Sequence, residues 1–167
     1  WMRSVTGQRH SDYLRIYRME SHFLKINEIF YSIQGESSWV GLPCVFVRLK
    51  GCPHRCKYCD TSYAFTEGDD VSIQKIVSEV LQYGVQTVEI TGGEPLIQPN
   101  VHLLMTKLCD EGKRVLIETC GSRDISVCDP RVIRIIDIKT PCSGANDSFL
   151  ESNFEDLKES DEIKFVI

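Results

Sequence analysis

The sequence lacks the features of membrane-spanning, secreted and repetitive proteins. No apolar run in its 167 residues approaches the roughly 20 residues that a transmembrane helix needs, so we expect no membrane partner. The N-terminal region contains no apolar core of a secretory signal, so a cytoplasmic protein is predicted. There is neither an internal repeat nor a low-complexity tract, which excludes solenoid and fibrous architectures.

Basic residues are also fewer than acidic residues. The chain has 19 Lys and Arg residues against 24 Asp and Glu residues, and its formal net charge is -5. Because the basic residues form no stripe, nucleic acid bound through its phosphates is not an expected partner. The apolar fraction of 42% is ordinary for a globular protein, and the length favours a single domain.

The two ends of the sequence differ from the part between them. The stretch from Trp1 to Arg18 is polar and basic without periodicity, and Met19 is a candidate natural start. We therefore predict that residues 1–23 are a leader or disordered extension and that residues 24–167 form the folded domain. Ile167 closes an apolar run with no polar tail, so we expect the C-terminal part of this domain to be missing.

Strand and helix patterns alternate along the rest of the chain. Segments rich in Val, Ile, Leu and Phe predict five buried strands over residues 44–50, 87–91, 115–119, 132–139 and 162–167, with an additional strand over 25–33. Apolar stripes predict helices over 71–84 and 101–111, ending near Gly84 and Gly112, and a short helix near 154–157. This alternation indicates an α/β fold of parallel strands. A complete eight-unit barrel needs about 250 residues, so we predict a partial TIM-like barrel with an open side.

Polar side chains share one face of these strands. Because successive strand residues point to opposite sides, same-face pairs can be read directly as Phe46 with Arg48, Glu89 with Thr91, Asp137 with Lys139, and Glu162 with Lys164. A purely structural barrel interior would hold branched aliphatic residues there. Since the C-terminal ends of parallel strands build the active site in such folds, the pattern predicts one shared polar site.

The cysteines favour a metal centre. Eight cysteines in a chain without a secretion signal are better explained by metal binding or catalysis than by disulfides. Cys52, Cys56 and Cys59 follow the first main strand at a spacing that suits zinc or iron–sulfur ligation. A zinc knuckle completed by His54 or a distant cysteine remains open. Three thiolates with no fourth ligand suit a 4Fe–4S cluster that leaves one iron free.

This cysteine spacing resembles the signature of radical S-adenosylmethionine enzymes. In that superfamily the free iron binds the amino and carboxylate groups of the cofactor, and reductive cleavage gives a radical that abstracts hydrogen. The turn Gly92-Gly93-Glu94-Pro95, after the next strand, resembles the turn that holds the cofactor's amino group. A glycyl-radical activase, which acts on a protein, shares the spacing and stays an alternative.

Further stretches resemble the 7-carboxy-7-deazaguanine synthase family. They comprise residues 27–36, 41–43, 46–49, 59–61, 118–121, 137–139 and 164–167. The resemblance implies a radical lyase of queuosine biosynthesis that converts 6-carboxy-5,6,7,8-tetrahydropterin to 7-carboxy-7-deazaguanine with release of ammonia. It also implies a 4Fe–4S cluster, S-adenosylmethionine, magnesium, a flavodoxin or similar reductant, and a homodimer.

The same resemblance implies roles for individual residues. Cluster ligands would be Cys52, Cys56 and Cys59, and the magnesium ligand would be Thr61. Cofactor contacts would be Tyr58, Cys59, Asp60, Gly93, Asp137, Ile138 and Lys139. Substrate contacts would be Ile33, Gln34, Gly35, Arg48 and Thr91. The planar fork of Arg48 suits the substrate carboxylate.

Structural roles remain open for several of these residues. Arg48 could instead form an ion pair with Glu89, and Thr61 could cap a turn or helix. Asp137 and Lys139 could neutralise each other. Phe30 and Tyr31 are predicted to be core residues. The cysteines predicted to be small packed or surface residues are Cys44, Cys109, Cys120, Cys128 and Cys142. Cys120 and Cys142 lie on strand-end loops near the proposed site, so a ligand role for these two stays open.

Overall fold

The computed structural model of this chain describes residues 22–166, so nearly all of the predicted leader lies outside the described residues. The strands are β1 (Phe23–Ile33), β2 (Pro43–Leu49), β3 (Asp69–Ser72), β4 (Thr87–Gly92), β5 (Arg114–Thr119), β6 (Ile133–Asp137) and β7 (Glu162–Lys164). The α-helices are α1 (Ile73–Gln82) and α2 (Val101–Asp110). All seven strands form one sheet in the order β3-β1-β2-β4-β5-β6-β7.

The five predicted main strands are present and run parallel. They are β2, β4, β5, β6 and β7, each hydrogen-bonded to the next. Helix α1 precedes β4 and α2 precedes β5, whereas the later connections contain only short 3-10 helices such as Glu151–Asp156. In the described part of the chain β3 and β7 form the two edges of the sheet, so the sheet does not close. The prediction of a partial barrel is confirmed.

The antiparallel end of the sheet differs from the prediction. Strand β1 pairs antiparallel with β2, and the unpredicted β3 pairs antiparallel with β1. The helix predicted from residue 71 begins only at Ile73, because Val71 and Ser72 extend β3 and pair with β1. The Ser72 hydroxyl then caps α1 by accepting a hydrogen bond from Lys75 N at 3.3 Å. The apolar pattern that predicted this helix extends back into β3, so it could not locate the residue at which the helix begins.

The hydrophobic core lies between the sheet and the two helices. Its sheet side includes Val47, Ile90 and Ile117, and its helix side includes Ile76 and Leu104, all fully buried. Each helix is followed two residues later by a glycine in the left-handed region, as predicted. No helix among residues 22–166 is long and apolar enough to cross a membrane. Because the core takes one face of the strands, the alternate residues are left for the other face.

Asn153 fastens the connection between β6 and β7 to the turn after β5. It is 1% exposed, and its Oδ1 accepts from Ile125 N at 3.2 Å. Its Nδ2 donates to Gly121 O at 2.9 Å and to Arg123 O at 3.0 Å. We expect Asn153→Ala to lower the free energy of unfolding by about 3 kcal/mol, because buried backbone groups lose their partners.

Urea denaturation checks this prediction. The matched control is Glu155→Ala on the same 3-10 helix, since Glu155 is exposed and should change stability little. An Asn153→Ala protein as stable as the control would contradict the proposed anchoring role.

Candidate active site

One cavity of about 430 Å³ is lined by almost every site residue predicted from the sequence. It runs from the C-terminal ends of the parallel strands into the interior of the partial barrel. Of the predicted site residues, those that line it are Ile33, Gln34, Gly35, Arg48, Cys52, Cys56, Tyr58, Cys59, Asp60, Thr61, Thr91, Gly93, Asp137 and Lys139. Ile138 does not line it. Its side chain packs against the core, and its N donates to Lys164 O at 2.9 Å.

The cysteine loop follows β2 directly and presents three free thiols to the cavity. Its start is fixed by a hydrogen bond from Gly51 N to Ala64 O at 2.8 Å. The Arg55 guanidinium closes the loop by donating to Cys52 O at 2.8 Å and by stacking over the Phe65 ring. Burial raises the pKa of the Cys52 thiol. Binding of an iron–sulfur cluster would overcome this effect of burial, because metal ions bind and stabilise the thiolate form.

The donor set fits an iron–sulfur cluster. Three soft thiol donors lie on one loop, beside a cavity with room for a bound group. Within residues 22–166, no three His, Cys, Asp or Glu side chains converge closely enough to hold a single metal ion. The buried Nε2 of His54 has no hydrogen-bond partner among the described residues.

The glycine-rich turn after β4 packs directly on the start of the cysteine loop. A Cβ added to Gly93 would lie 2.1 Å from Gly51 O and 2.8 Å from the Cβ of Cys52, so only glycine fits. The side chain of Glu94, which is 1% exposed, holds this turn in place. The Glu94 carboxylate accepts hydrogen bonds from Thr119 Oγ1 at 2.7 Å and from Cys120 N at 2.9 Å. Glu94 therefore joins this turn to the end of β5.

Asp137 and Lys139 lie opposite the cysteine loop. Lys139 Nζ donates to Asp137 Oδ2 at 2.7 Å, and it lies 5.7 Å from the centre of the Tyr58 ring. Burial is the largest single influence and lowers the pKa of Lys139, but the hydrogen bond to Asp137 and the negative charge of Asp137 together outweigh it, so the net pKa is raised. The other oxygen, Asp137 Oδ1, is buried without a partner among the described residues. An unpaired buried acceptor beside a cavity fits a ligand that brings a hydrogen-bond donor.

Arg48 is held in place by an anchor on β1. Its Nε donates to Glu28 Oε1 at 2.8 Å, and the Tyr63 hydroxyl donates to the same oxygen at 3.1 Å. The Arg48 guanidinium also lies over the Phe30 ring, 5.6 Å from its centre. Among the described residues its two terminal nitrogens make no hydrogen bond. They are therefore available to bind a carboxylate from the cavity side.

We expect Glu28→Ala to weaken binding of a carboxylate substrate without destroying the fold. Glu28 is the ion-pair partner of Arg48, so its removal frees the guanidinium to leave its present orientation. KM for the substrate should rise about tenfold with a smaller change in kcat, as expected for lost binding. Steady-state kinetics check this, with Asp70→Ala as control because Asp70 forms an exposed ion pair on neighbouring β3. Equal KM values in the two variants would contradict the role of Glu28.

Three glutamates and Lys164 line another part of the cavity, where Glu89 is buried and the Glu36 side chain is 60% exposed. Lys164 Nζ forms ion pairs with Glu118 and Glu36, and it lies 3.8 Å from Asp137 Oδ2. Gln34 Nε2 donates a hydrogen bond to Glu89 Oε2. Burial, followed by the nearby charge of Glu118, raises the pKa of Glu89 to about 8. Burial lowers the pKa of Lys164, but the two carboxylates outweigh this and the net pKa is raised.

Comparisons with known proteins agree with this geometry. A family model described as the Radical SAM superfamily matches residues 46–137. The 7-carboxy-7-deazaguanine synthase of Chlorobaculum tepidum is 49% identical over 86% of this chain and 66% of its own length. The same-named protein of Thermoplasma acidophilum is 39% identical over 85% of this chain and 69% of its own length. This chain belongs to the 7-carboxy-7-deazaguanine synthase family.

A solved structure shows the same relationship. The crystal structure of QueE from Escherichia coli superposes with a TM-score of 0.73 at 27% identity, covering 90% of this chain and 75% of that chain. The chain spans about two-thirds of the length of the curated relatives it matches, with 66% and 65% for the first two. The predicted family membership and the radical SAM fold class are therefore confirmed.

Several structural alternatives raised by the sequence were wrong. Arg48 pairs with Glu28 and not with Glu89, because β1 lies next to β2 and places Glu28 opposite Arg48. Phe30 lines the cavity, and its ring stacks on that of Phe46 with the ring centres 5.0 Å apart. Tyr31 is 51% exposed. Neither aromatic residue is in the core, since β1 has one face on the cavity and the other towards solvent near its end.

One further structural alternative agrees with the geometry, and two other expectations do not. Asp137 and Lys139 do form an ion pair. Thr61 precedes the 3-10 helix Ser62–Phe65, but its hydroxyl donates to Asp60 Oδ1 at 2.8 Å and makes no capping bond. Glu162 was predicted to share the polar face, yet it does not line the cavity and instead accepts from Ser38 N at 3.0 Å.

The remaining cysteines contribute no obvious ligand. Cys44, Cys109 and Cys128 are buried away from the cavity, and Cys142 is exposed. Cys120 lines the cavity, but burial and then Glu94 raise the pKa of its thiol to about 12. Cys120 also lies on the turn after β5 and not on the cysteine loop.

The structure also gives contacts to residues for which the sequence analysis proposed no individual role. They are Glu28, Glu36, Glu94 and Glu118, together with Lys164 as a centre of ion pairs. The signal available for Glu94 was its place in the glycine-rich turn. For the other four residues it was their place in the family-like stretches 27–36, 118–121 and 164–167.

Proposed function

We propose that this chain carries out the reaction of its family, the conversion of 6-carboxy-5,6,7,8-tetrahydropterin to 7-carboxy-7-deazaguanine with release of ammonia. The observation that carries the proposal is that one cavity gathers the cysteine loop, the glycine-rich turn and Arg48. A cluster site alone would suit any radical enzyme. A carboxylate-binding arginine in the same cavity favours a small carboxylated substrate.

The cofactor side of the cavity would be the cysteine loop and the strand ends around it. Cys52, Cys56 and Cys59 would hold a 4Fe–4S cluster. S-adenosylmethionine would lie against a surface made by Tyr58, Asp60, Gly93, Asp137 and Lys139, with the backbone of Ile138 beside it. When bound, the cluster and this cofactor supply the radical that abstracts hydrogen. The protein's own part is to orient both ligands and to exclude water from the space between them.

The substrate side would be the inner half of the cavity. The terminal nitrogens of Arg48 would receive the carboxylate of the pterin, because Glu28 already occupies Nε. Thr91 and the segment Ile33-Gln34-Gly35 would contact the ring system from the neighbouring walls. Polar groups fixed by protein partners suit this task, since they orient the substrate without having to reorganise.

Magnesium, the reductant and the quaternary structure complete the proposal. Thr61 would contribute one oxygen to Mg²⁺, with substrate and water oxygens completing its coordination. Asp60 lies next to it and accepts the Thr61 hydrogen bond, so it would orient that hydroxyl. A flavodoxin or similar donor would supply electrons in the cytoplasm, and two copies would form a homodimer.

The test is anaerobic reconstitution with iron and sulfide, reduction, and incubation with S-adenosylmethionine, Mg²⁺ and the carboxypterin. Mass spectrometry should show 7-carboxy-7-deazaguanine, and omission of Mg²⁺ should lower its yield. Cleavage of the cofactor without this product would count against the proposed substrate and would favour an activase. Zinc without iron or sulfide in the reconstituted protein would favour the zinc-stabilised module.

A further inference from the structure

The loop between β1 and β2, residues 34–42, lies at the end of the barrel opposite to the cysteine loop. It leads into β2 at Pro43, whereas the cysteine loop follows β2. Its two arms are joined by hydrogen bonds from Gln34 N to Leu42 O at 2.9 Å and from Gly41 N to Gln34 O at 2.8 Å. A surface loop whose ends meet in this way forms a compact unit, which we call the strap.

Two contacts attach the tip of the strap to strands that are not its neighbours in the sheet. Ser38 N donates to Glu162 Oε2 at 3.0 Å, and Glu162 is the first residue of β7. The Arg114 guanidinium lies over the Trp39 ring, 4.8 Å from its centre, and Arg114 is the first residue of β5. In the sheet, β4 separates β2 from β5, and β4, β5 and β6 separate β2 from β7. The strap therefore spans the N-terminal ends of the parallel strands.

The backbone of the strap has a shape that is unfavourable for an isolated chain. Among residues 22–166, Ser37 is the one non-glycine residue in the left-handed region, with a φ of 63°. Such a conformation persists only where surrounding contacts determine it. The Ser37 hydroxyl accepts a hydrogen bond from Trp39 N at 3.2 Å, and the next two residues make the contacts with β7 and β5. The tip contacts therefore help to fix the conformation of the strap.

The other side of the strap forms part of the cavity wall. Gln34, Gly35 and Glu36 line the cavity, whereas Ser38 and Trp39 do not. The side-chain amide and both backbone groups of Gln34 bond within the protein. Gly35 N and O make no hydrogen bond among the described residues, and nothing lies within 4 Å of a Cβ built on Gly35. The backbone of Gly35 is therefore the part of the strap that is available to a ligand.

We propose that Trp39 and Glu162 are positioning residues, which hold the tip of the strap on β5 and β7 and thereby place the backbone of Gly35 against the pterin. Neither residue lines the cavity, so both act through the strap. The pyrimidinone ring of a pterin carries N–H and C=O groups, which are complementary to the free N–H and C=O of a peptide. The inference rests on the proposed function for the identity of the substrate.

Hydrogen–deuterium exchange tests the strap without any substrate. The amides of Gln34, Gly41 and Leu42 are bonded within the strap and exchange when it opens. Trp39→Ala and Glu162→Ala should each speed this exchange about fourfold, because each removes one tip contact. The double variant should speed it about fifteenfold if the contacts are independent.

Conservative variants separate these contacts from a general loss of structure. Trp39→Phe keeps a ring for Arg114 and Glu162→Gln keeps an acceptor for Ser38 N, so both should exchange nearly as slowly as wild type. Glu155→Ala, at an exposed position, is the control and should follow wild type. Wild-type exchange in the double alanine variant would overturn the proposal, and so would equally fast exchange in the conservative variants.

Steady-state kinetics of reconstituted holoprotein test the consequence for the substrate. In the double alanine variant a smaller fraction of the protein has Gly35 in place, so KM for the carboxypterin should rise at least about threefold. The value of kcat should change less, because saturating substrate draws the strap closed. Iron content should equal that of wild type, since the strap lies away from the cysteine loop.

Faster exchange with an unchanged KM would overturn the positioning role. A wild-type protein that made no deazaguanine product would count against the proposed function instead. The exchange measurement would still decide whether Trp39 and Glu162 hold the strap closed.

Discussion

Replacing Cys56 with alanine is expected to abolish cluster incorporation and to lower product formation by at least about 10³-fold, since all hydrogen abstraction depends on the cluster. The three thiols of the loop line the same cavity, whereas Cys120, which also lines it, follows β5 and lies outside the loop. Two thiolates cannot hold the cluster in place. Iron and sulfide content, visible absorption and cofactor cleavage measure the loss directly.

The matched control is Cys142→Ala. Cys142 is exposed, and its sulfur lies 3.1 Å from the Thr140 hydroxyl outside the cavity. It should keep full iron content and full product yield. If Cys56→Ala retained the cluster, a replacement ligand such as His54 or Cys120 would have to exist, and the assignment of the loop as a three-cysteine site would be wrong.

Gly93→Ala is expected to damage the fold and the cofactor site together. The new methyl group would lie 2.1 Å from Gly51 O, a backbone atom that has to move. Overpacking of this kind costs about 3 kcal/mol, which lowers the thermal midpoint of a chain of this length by roughly 10 °C. Because the displaced backbone leads directly into Cys52, iron content after reconstitution should also fall.

Gly35→Ala provides the comparison for Gly93→Ala. Gly35 lines the same cavity, but nothing lies within 4 Å of a Cβ added there and its φ is not in the left-handed region. The thermal midpoint and iron content should therefore stay near wild type, whatever happens to substrate binding. Equal midpoints for the two variants would show that the turn after β4 can shift freely, against the close approach described here.

The main strands and their polar face were predictable because both depend on short-range patterns. The side chains of a strand alternate with a period of two, so Arg48, Thr91 and Asp137 could be assigned to one face without knowing which strands are neighbours. Strand β3 was not predictable in the same way. Its four residues carry two aspartates and gain their strand conformation only by pairing with β1.

The cluster motif was predictable for a similar reason. Cys52, Cys56 and Cys59 lie within one loop, so their proximity follows from chain connectivity and needs no tertiary contact. The glycines of the turn after β4 were also visible, but the reason for Gly93 was not. Position 93 must be glycine because a Cβ there would collide with the backbone of Gly51. Gly51 lies more than forty positions earlier in the sequence and is brought close by the pairing of β2 with β4.

The sequence by itself determined the fold class, the cysteine site and the family, because these rest on local spacing and on strand periodicity. Only the tertiary structure decided which charged groups meet. Arg48 could have paired with several carboxylates, and the register of β1 on β2 selected Glu28. Strand order likewise brought Gln34 to Glu89. Such pairings depend on strand order and register, which a period-two pattern leaves open.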